Sequence, residues 1–195
     1  LRKQYGLDQP LYIQLIKYLG QVFRGVLGYS FYYDESVAAL LIGHLPTTLM
    51  LTLSALVLAV IIGTLFGVYA ALKPNGIFSN FVTVLSLFGY ATPVFWLGMI
   101  ILLVFALYLP LFPAFGIRSW PQPENTFDRI LDMIHHLVLP TFTLAILYLA
   151  SYSRISRASM LDVLGSDYIR TARTKGLSEF RVIFKHALKN AAMPV

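Results

Sequence analysis

The side chains of this chain best placed to do chemistry are basic, and they crowd one end. Residues 151–195 hold eight of them (Arg154, Arg157, Arg170, Arg173, Lys175, Arg181, Lys185, Lys189) against three acids (Asp162, Asp167, Glu179). From Asp167 onward their spacing is helical. Before Gly176, Ile169 and Ala172 share one face while Arg170 and Arg173 share another. After it, Phe180, Ile183, Phe184, Ala187, Leu188 and Ala191 follow the i, i+3, i+4 rule, and Arg181, Lys185 and Lys189 recur on the polar side. Gly176 suits the left-handed residue that closes a helix, and Ser178 suits the cap of the next one. The chemistry of such an element is recognition: it lies on an anionic membrane surface or fills a groove on a partner.

Other reactive constellations are thin. Of the four histidines, His135 and His136 are adjacent and point about 100° apart on a helix, so they do not pinch a metal as i, i+4 ligands do. His44 stands at the start of an apolar tract, and His186 lies within the basic segment. No GxxxxGK[ST] loop is present to cradle a nucleotide, nor HExxH, nor GxSxG. No catalytic, metal or cofactor-binding residue is therefore assigned. With no cysteine, thiol and disulfide chemistry are out.

The elements that carry these residues are membrane-like. The chain is 57% hydrophobic and only 12% charged, far from soluble averages. Its net charge of +6 sits mostly beside one hydrophobic end, which the positive-inside rule explains without a nucleic-acid partner. Three charge-free tracts matter: Leu45 to Leu72, Pro74 to Ile117, and Leu137 to Ser153, the last extended if Arg154 and Arg157 snorkel. The middle tract could be one span or a hairpin turning near Pro93. A hairpin would export the basic tail, so the rule favours three spans, about 45–72, 79–109 and 137–160. Residues 1–44 then form an extracytoplasmic segment, and 45–195 a membrane domain with a cytoplasmic segment at 166–192. The outer stretches 1–44 and 110–136 are rich in Tyr, Trp and Pro, as short interfacial helices are. No acid or base falls mid-span, which leaves no proton relay. Arg154 and Arg157 read as orientation determinants first and lipid contacts second.

Two further features concern the helices themselves. Ala55, Ala59, Gly63, Gly67 and Ala71 repeat every fourth residue, with a GxxxG at their centre. In lipid, small residues let backbones approach closely, here within the chain or against a second subunit. Pro93 interrupts the second span as a packing kink or as a hinge in a pathway wall.

The basic segment carries a resemblance. It reads Asp167-Tyr168-Ile169-Arg170-Thr171-Ala172-Arg173-Thr174-Lys175-Gly176-Leu177, then His186-Ala187-Leu188-Lys189-Asn190-Ala191, then Pro194. This resembles the EAA loop of ABC-transporter permeases, in the version found in the dipeptide, oligopeptide and nickel importer family, DYIRTARAKGL followed by a HALRNA-like stretch and a proline. Against the general EAA pattern, Ala172 and Gly176 are kept, Arg170 stands at the glutamate position as in the peptide branch, Leu188 is kept, and Lys189 replaces a proline. Leu7 to Tyr12 and Leu27 to Ser30 are similar to the family's exterior stretch.

The resemblance implies an all-α, polytopic transmembrane helix bundle of the type I importer kind, in a prokaryotic cell membrane, shown here as part of a longer permease. It implies a non-catalytic role beside a second permease subunit, two cytoplasmic ATP-binding subunits that hold the ATP, and an extracytoplasmic substrate-binding protein. Within it, Arg170, Ala172, Arg173, Gly176, Phe180, Arg181, Phe184, Lys185 and Leu188 would couple to the ATPase. Gly176 sets the bend, Phe180, Phe184 and Leu188 anchor, and Arg173, Arg181 and Lys185 fix register. Peptides are the expected cargo, with nickel or glutathione as alternatives. An ion-coupled transporter or a lipid-binding scaffold are the readings from other classes.

Overall fold

A computed structural model describes residues 9–193. It is helical almost throughout and divides into two units at Met50.

In the first unit, Pro10 opens helix α1 (Leu11–Phe23), none of whose residues is buried. Leu11, Leu15, Ile16, Leu19 and Phe23 leave a bare apolar stripe, the pattern of an interfacial helix. A two-residue hairpin follows, β1 (Tyr29–Ser30) with β2 (Glu35–Ser36), and the Tyr29 hydroxyl donates to Asp34 across its turn at 2.6 Å. Helix α2 (Val37–Leu72) begins eight residues before the tract expected from Leu45 and carries Pro46 inside it.

In the second unit, the rest of α2 leads through a short turn to α3 (Ile77–Ala91). Thr92 and Pro93 then leave the helical region, as the residue before a proline is pressed to do. Helix α4 (Val94–Leu102) and a π-type stretch (Leu103–Tyr108) complete the tract. The two halves diverge by 105°, so the tract expected at 79–109 is not one straight helix. Helix α5 (Thr126–Leu164) starts at Asn125, whose side chain caps it by accepting from the Phe127 N–H. It continues past Arg154 and Arg157. Among the described residues, α2 and α5 alone are, as single helices, long and apolar enough to cross a membrane; the bent pair makes a third if it is one span.

The register of contacts fixes directions. On α2, Ser54 bonds Thr141 (3.0 Å), Gly63 lies against Leu149 and Tyr152, and Gly67 lies against Ser153 and Ser156. These helices therefore run parallel. On α3, Ser86 meets Ser153 (2.9 Å) and Gly89 meets Ile146 and Ala150. Then Gly98 of α4 meets Thr143, and beyond the π-type stretch the Leu111 carbonyl accepts from His135 Nε2 at 2.9 Å. Despite the bend, the contacts of α3 and α4 advance steadily along α5 from residue 153 to 135.

Candidate coupling segment and the seam beneath it

The basic segment folds as two short helices joined at a glycine. Ser166 adopts the extended N-cap backbone of α6 (Asp167–Thr174), with Asp167 in its first turn and Arg173 in its last, each favourable to the helix dipole. At the other end Gly176 has φ +76°. The Gly176 N–H donates to Arg173 O (2.9 Å) and the Leu177 N–H to Ala172 O (3.4 Å), which is the Schellman closure. Leu177, one residue beyond, packs into the local core as that motif favours. Ser178 has the extended backbone of an N-cap, but its hydroxyl makes no capping bond.

The second helix is one run of three parts, α7 (Glu179–Arg181), a π-type stretch (Val182–Ala187) and α8 (Leu188–Ala191). The i→i+5 bonding of a π-turn takes in one more residue than an α-turn, so it shifts the buried face. Val182, Ile183, Ala187 and Ala191 are buried, Phe184 and Leu188 are half-buried, and Phe180 is 72% exposed. The plain α-periodicity put Phe180 on one face with Ile183 and Phe184 and left Val182 off it; the structure buries Val182 and leaves Phe180 outside the local core.

These residues share one core with the ends of α2 and α5. Ile169, Ala172, Val182, Ile183, Ala187 and Ala191 cluster with Val68 and Ala71 of α2 and Met160 of α5. Phe184 and Leu188, named above as anchors, pack against that cluster. Phe180 stacks on Phe184 (4.7 Å between centroids), which in turn meets Tyr69 of α2 edge-on at 6.5 Å. The outermost ring is thus connected to a long helix through one intermediate.

Polar ties hold the two short helices together. Arg173 forks onto Glu179 across the glycine (Nε–Oε1 2.9 Å, Nη2–Oε2 3.4 Å), and the Asn190 amide donates to the Tyr168 hydroxyl at 2.8 Å. Arg170 stands 3.9 Å from Asp167. Arg170, Arg173, Arg181, Lys185 and Lys189 are all exposed. The outcome is an element whose apolar side is spent largely inside the chain and whose outward side is basic, with Phe180 and Tyr168 as its exposed rings. Pro194 lies outside the described residues.

Beneath it runs the small-residue ridge. Ala55, Ala59, Gly63, Gly67 and Ala71 are all buried, and the two glycines face α5 of the same chain. A Cβ built on Gly67 would stand 2.6 Å from Ser153 O and 2.8 Å from Arg157 N, so the backbones touch. A second seam went unread in the sequence. Ser79, Val82, Ser86 and Gly89 line the buried face of α3 against α5, and Ser153, also buried, completes the Ser86 pair. Their i, i+3, i+7, i+10 spacing of small residues was the available signal.

Arg154 and Arg157 of α5 part ways. Arg157 reaches the α2–α3 turn, donating to Pro74 O at 3.4 Å. Arg154 lies with its guanidinium carbon 5.2 Å from the Tyr90 ring centroid. At the far end of α5, His136 is buried with Nδ1 2.8 Å from Asp132 O, whereas exposed His135 stacks on Phe112. Two bonds from Ser119, first its hydroxyl and then its N–H, hold the Asp132 carboxyl below the usual carboxylate range.

Residues 63–195, which contain the ridge's glycines and the whole basic segment, match the family described as binding-protein-dependent transport system inner membrane component. The chain belongs to that family. It is 43% identical over 194 residues to the oligopeptide transport system permease protein AppB of Bacillus subtilis (strain 168), covering 99% of this chain and 60% of AppB. It is 41% identical to the di/tripeptide transport system permease protein DppB of Pseudomonas aeruginosa (strain UCBPP-PA14), over 97% of this chain and 61% of the relative. To the dipeptide transport system permease protein DppB of Escherichia coli (strain K12) it is 35% identical, over 100% and 62%. The chain thus spans about 60% of the length of the curated relatives it matches. As an inner membrane component, a family member contributes helices to a transport system.

Proposed function

We propose that the parent protein is a permease subunit of an ATP-driven importer of peptides, and that residues 166–192 transmit the work of a cytoplasmic ATPase into the membrane helices. One observation carries this reading: the segment is welded by its apolar face to the ends of α2 and α5, leaving a basic outer face on which Phe180 is the most exposed ring. A push on that outer face is passed to the long helices through Val68, Ala71 and Met160 and through the Phe184–Tyr69 contact. Arg170, Arg181 and Lys185 meet the partner's surface, while Arg173, already clamped by Glu179, keeps the two short helices in register. ATP is held by partners, and the protein itself is not catalytic.

In this reading the chain is multi-pass, with the basic segment inside and residues 1–44 outside. The steady advance of α3 and α4 along α5 supports a single broken span rather than a loop that re-enters and returns. Peptide cargo follows from the names of the relatives AppB and DppB. A second permease and an extracytoplasmic binding protein complete the assembly.

The test uses the absence of cysteine in this sequence. A single Ser178→Cys change is made in the full-length parent on a background without other reactive cysteines, and cross-linking is run in native membranes with and without ATP. A nucleotide-sensitive adduct to an ATP-binding subunit is expected. Labelling of that site only from outside the cell sinks both the topology and the coupling role.

A further inference from the structure

Arg154 does something unusual for a membrane arginine. The chain around it was expected to let it snorkel toward the nearer surface. Helix α5 runs on from 154 to Leu164, about 15 Å of further helix toward that surface. Yet the guanidinium rests on Tyr90, whose neighbour Gly89 packs on Ile146 and Ala150, one to two turns in the opposite direction. The side chain is drawn back along α5, as the tilt of Cβ in a helix favours, and away from the surface that Arg157 occupies. Among the described residues, no carboxylate lies within ion-pair distance of it. Both Arg154 and Tyr90 are exposed on the chain's own surface.

On the reading of 137–160 as a span, a guanidinium drawn back toward the level of Ile146 and Ala150 lies within it. Such a group does not face acyl chains, because hydrocarbon gives its donors nothing to bond; intramembrane charges face water-filled cavities or protein. The Tyr90 ring offers its π-face to the cation and leaves the rim of N–H donors open. That rim is a planar fork matched to a carboxylate. On the reading of the parent as a peptide permease, we propose that Arg154, seated on Tyr90, lines the translocation pathway and receives the C-terminal carboxylate of the peptide in transit. The carboxylate is the one anionic group that every linear peptide carries whatever its sequence, so a single fork serves a mixed cargo. A cation–π seat also holds the arginine in place without a competing acid that the substrate would have to displace.

The experiment uses the full-length permease with its partner subunits in proteoliposomes or inverted vesicles. Arg154→Gln is expected to lower ATP-dependent peptide uptake at least tenfold with unchanged assembly, and Arg154→Lys to recover part of it. In an otherwise cysteine-free transporter, Arg154→Cys is expected to react with a small charged methanethiosulfonate from the aqueous phase, and peptide under turnover is expected to slow that reaction. The adduct carrying an ammonium restores uptake, and the sulfonate adduct does not. A site that fails to react faces lipid or protein, and the proposal is overturned. The same holds if Arg154→Gln moves peptides within twofold of wild type, if peptide gives no protection, or if both adducts act alike. Should wild-type vesicles show no ATP-dependent peptide uptake, the peptide-importer reading itself fails, which is a separate result from the behaviour of position 154.

Discussion

Gly67 and Gly176 each resist a plain side chain, to different degrees and for opposite physical reasons. Gly67 sits in ordinary helical backbone with no room: its missing Cβ would fall within 2.8 Å of backbone atoms of Ser153 and Arg157. Gly176 has open space on every side, with nothing within 4 Å of a built Cβ, but its φ of +76° belongs to the left-handed region. The first glycine lets two long helices touch. The second lets a helix end and the chain turn. One residue type thus marks both a place where the molecule is rigid by contact and a place where it bends by conformation, and the two respond differently to the same substitution.

Asparagine separates them, because it tolerates the left-handed region but needs space. Gly67→Asn forces apart two backbones and is expected to be the most damaging change here, beyond the ~1–3 kcal/mol usual for an overpacked core because the obstruction is main chain. Membrane abundance and uptake should collapse together. Gly176→Asn should fold and transport near wild-type levels. Gly176→Ala should cost about 1–2 kcal/mol from left-handed strain alone. If its uptake falls while ATP hydrolysis persists, the turn also matters for coupling. Equal tolerance of asparagine at both sites would remove the distinction.

Next in size is the core that the basic segment shares with the long helices. Met160 is fully buried in it, and Met160→Ala is expected to lose about 2–5 kcal/mol, read as a lower unfolding midpoint in detergent. Phe180→Ala, on the exposed side of the same segment, should leave that midpoint unchanged and instead weaken cross-linking to the ATP-binding subunit. A large fall in midpoint for Phe180→Ala would mean that its stack on Phe184 is structural.

How much of this was legible in the sequence follows the same division between contact and conformation. Gly176, the amphipathic faces around it and the four-residue ridge are periodic or positional signals, and they stand where the residues suggested. The burial of Val182, and the parting of Phe180 from Ile183 and Phe184, escaped because nothing in the side-chain types of residues 182–187 announces a π-turn. The 105° break needed more than Pro93, since a proline alone is compatible with a shallow kink; the direction of α4 is set by its packing along α5. The Ser86–Ser153 pair escaped because serine in a span is also common where it only bonds its own helix. The Ser86 hydroxyl, in fact, does both, bonding Val82 O at 2.7 Å as well as Ser153.

That pair carries the third prediction. In membranes, hydrogen bonds between helices are worth about 0.6 kcal/mol on average, because the separated helices find other partners. A double-mutant cycle with Ser86→Ala and Ser153→Ala should give a coupling near that value, well below the loss at Gly67, even though both sites lie on the same stretch of α5. A coupling above about 2 kcal/mol would mean that the hydroxyls, rather than close backbone approach, hold the seam.

The smallest effect is expected where the structure is strapped by charge outside the spans. Asp132 accepts from the Ser119 hydroxyl and from its N–H, so its carboxyl is held below its ordinary range, with smaller help from His136 and His135 and burial acting the other way. A carboxyl whose folded value is depressed contributes stability above its unfolded value of about 3.9, and loses it as pH falls through the folded value. The strap is therefore complete at neutral pH and opens only in acid. Trp120, next to Ser119, reports it once Trp96, the only other tryptophan of this sequence, is replaced by Phe and any elsewhere in the parent likewise. Its emission should hold steady from pH 8 to about 5 and shift below about 4. Ser119→Ala, which removes the larger of the two bonds, should move the midpoint of that shift upward. A flat Trp120 signal through the acid range would show that the loop is held by the His135–Phe112 stack and the Leu111 carbonyl, and that the carboxylate only sits beside it.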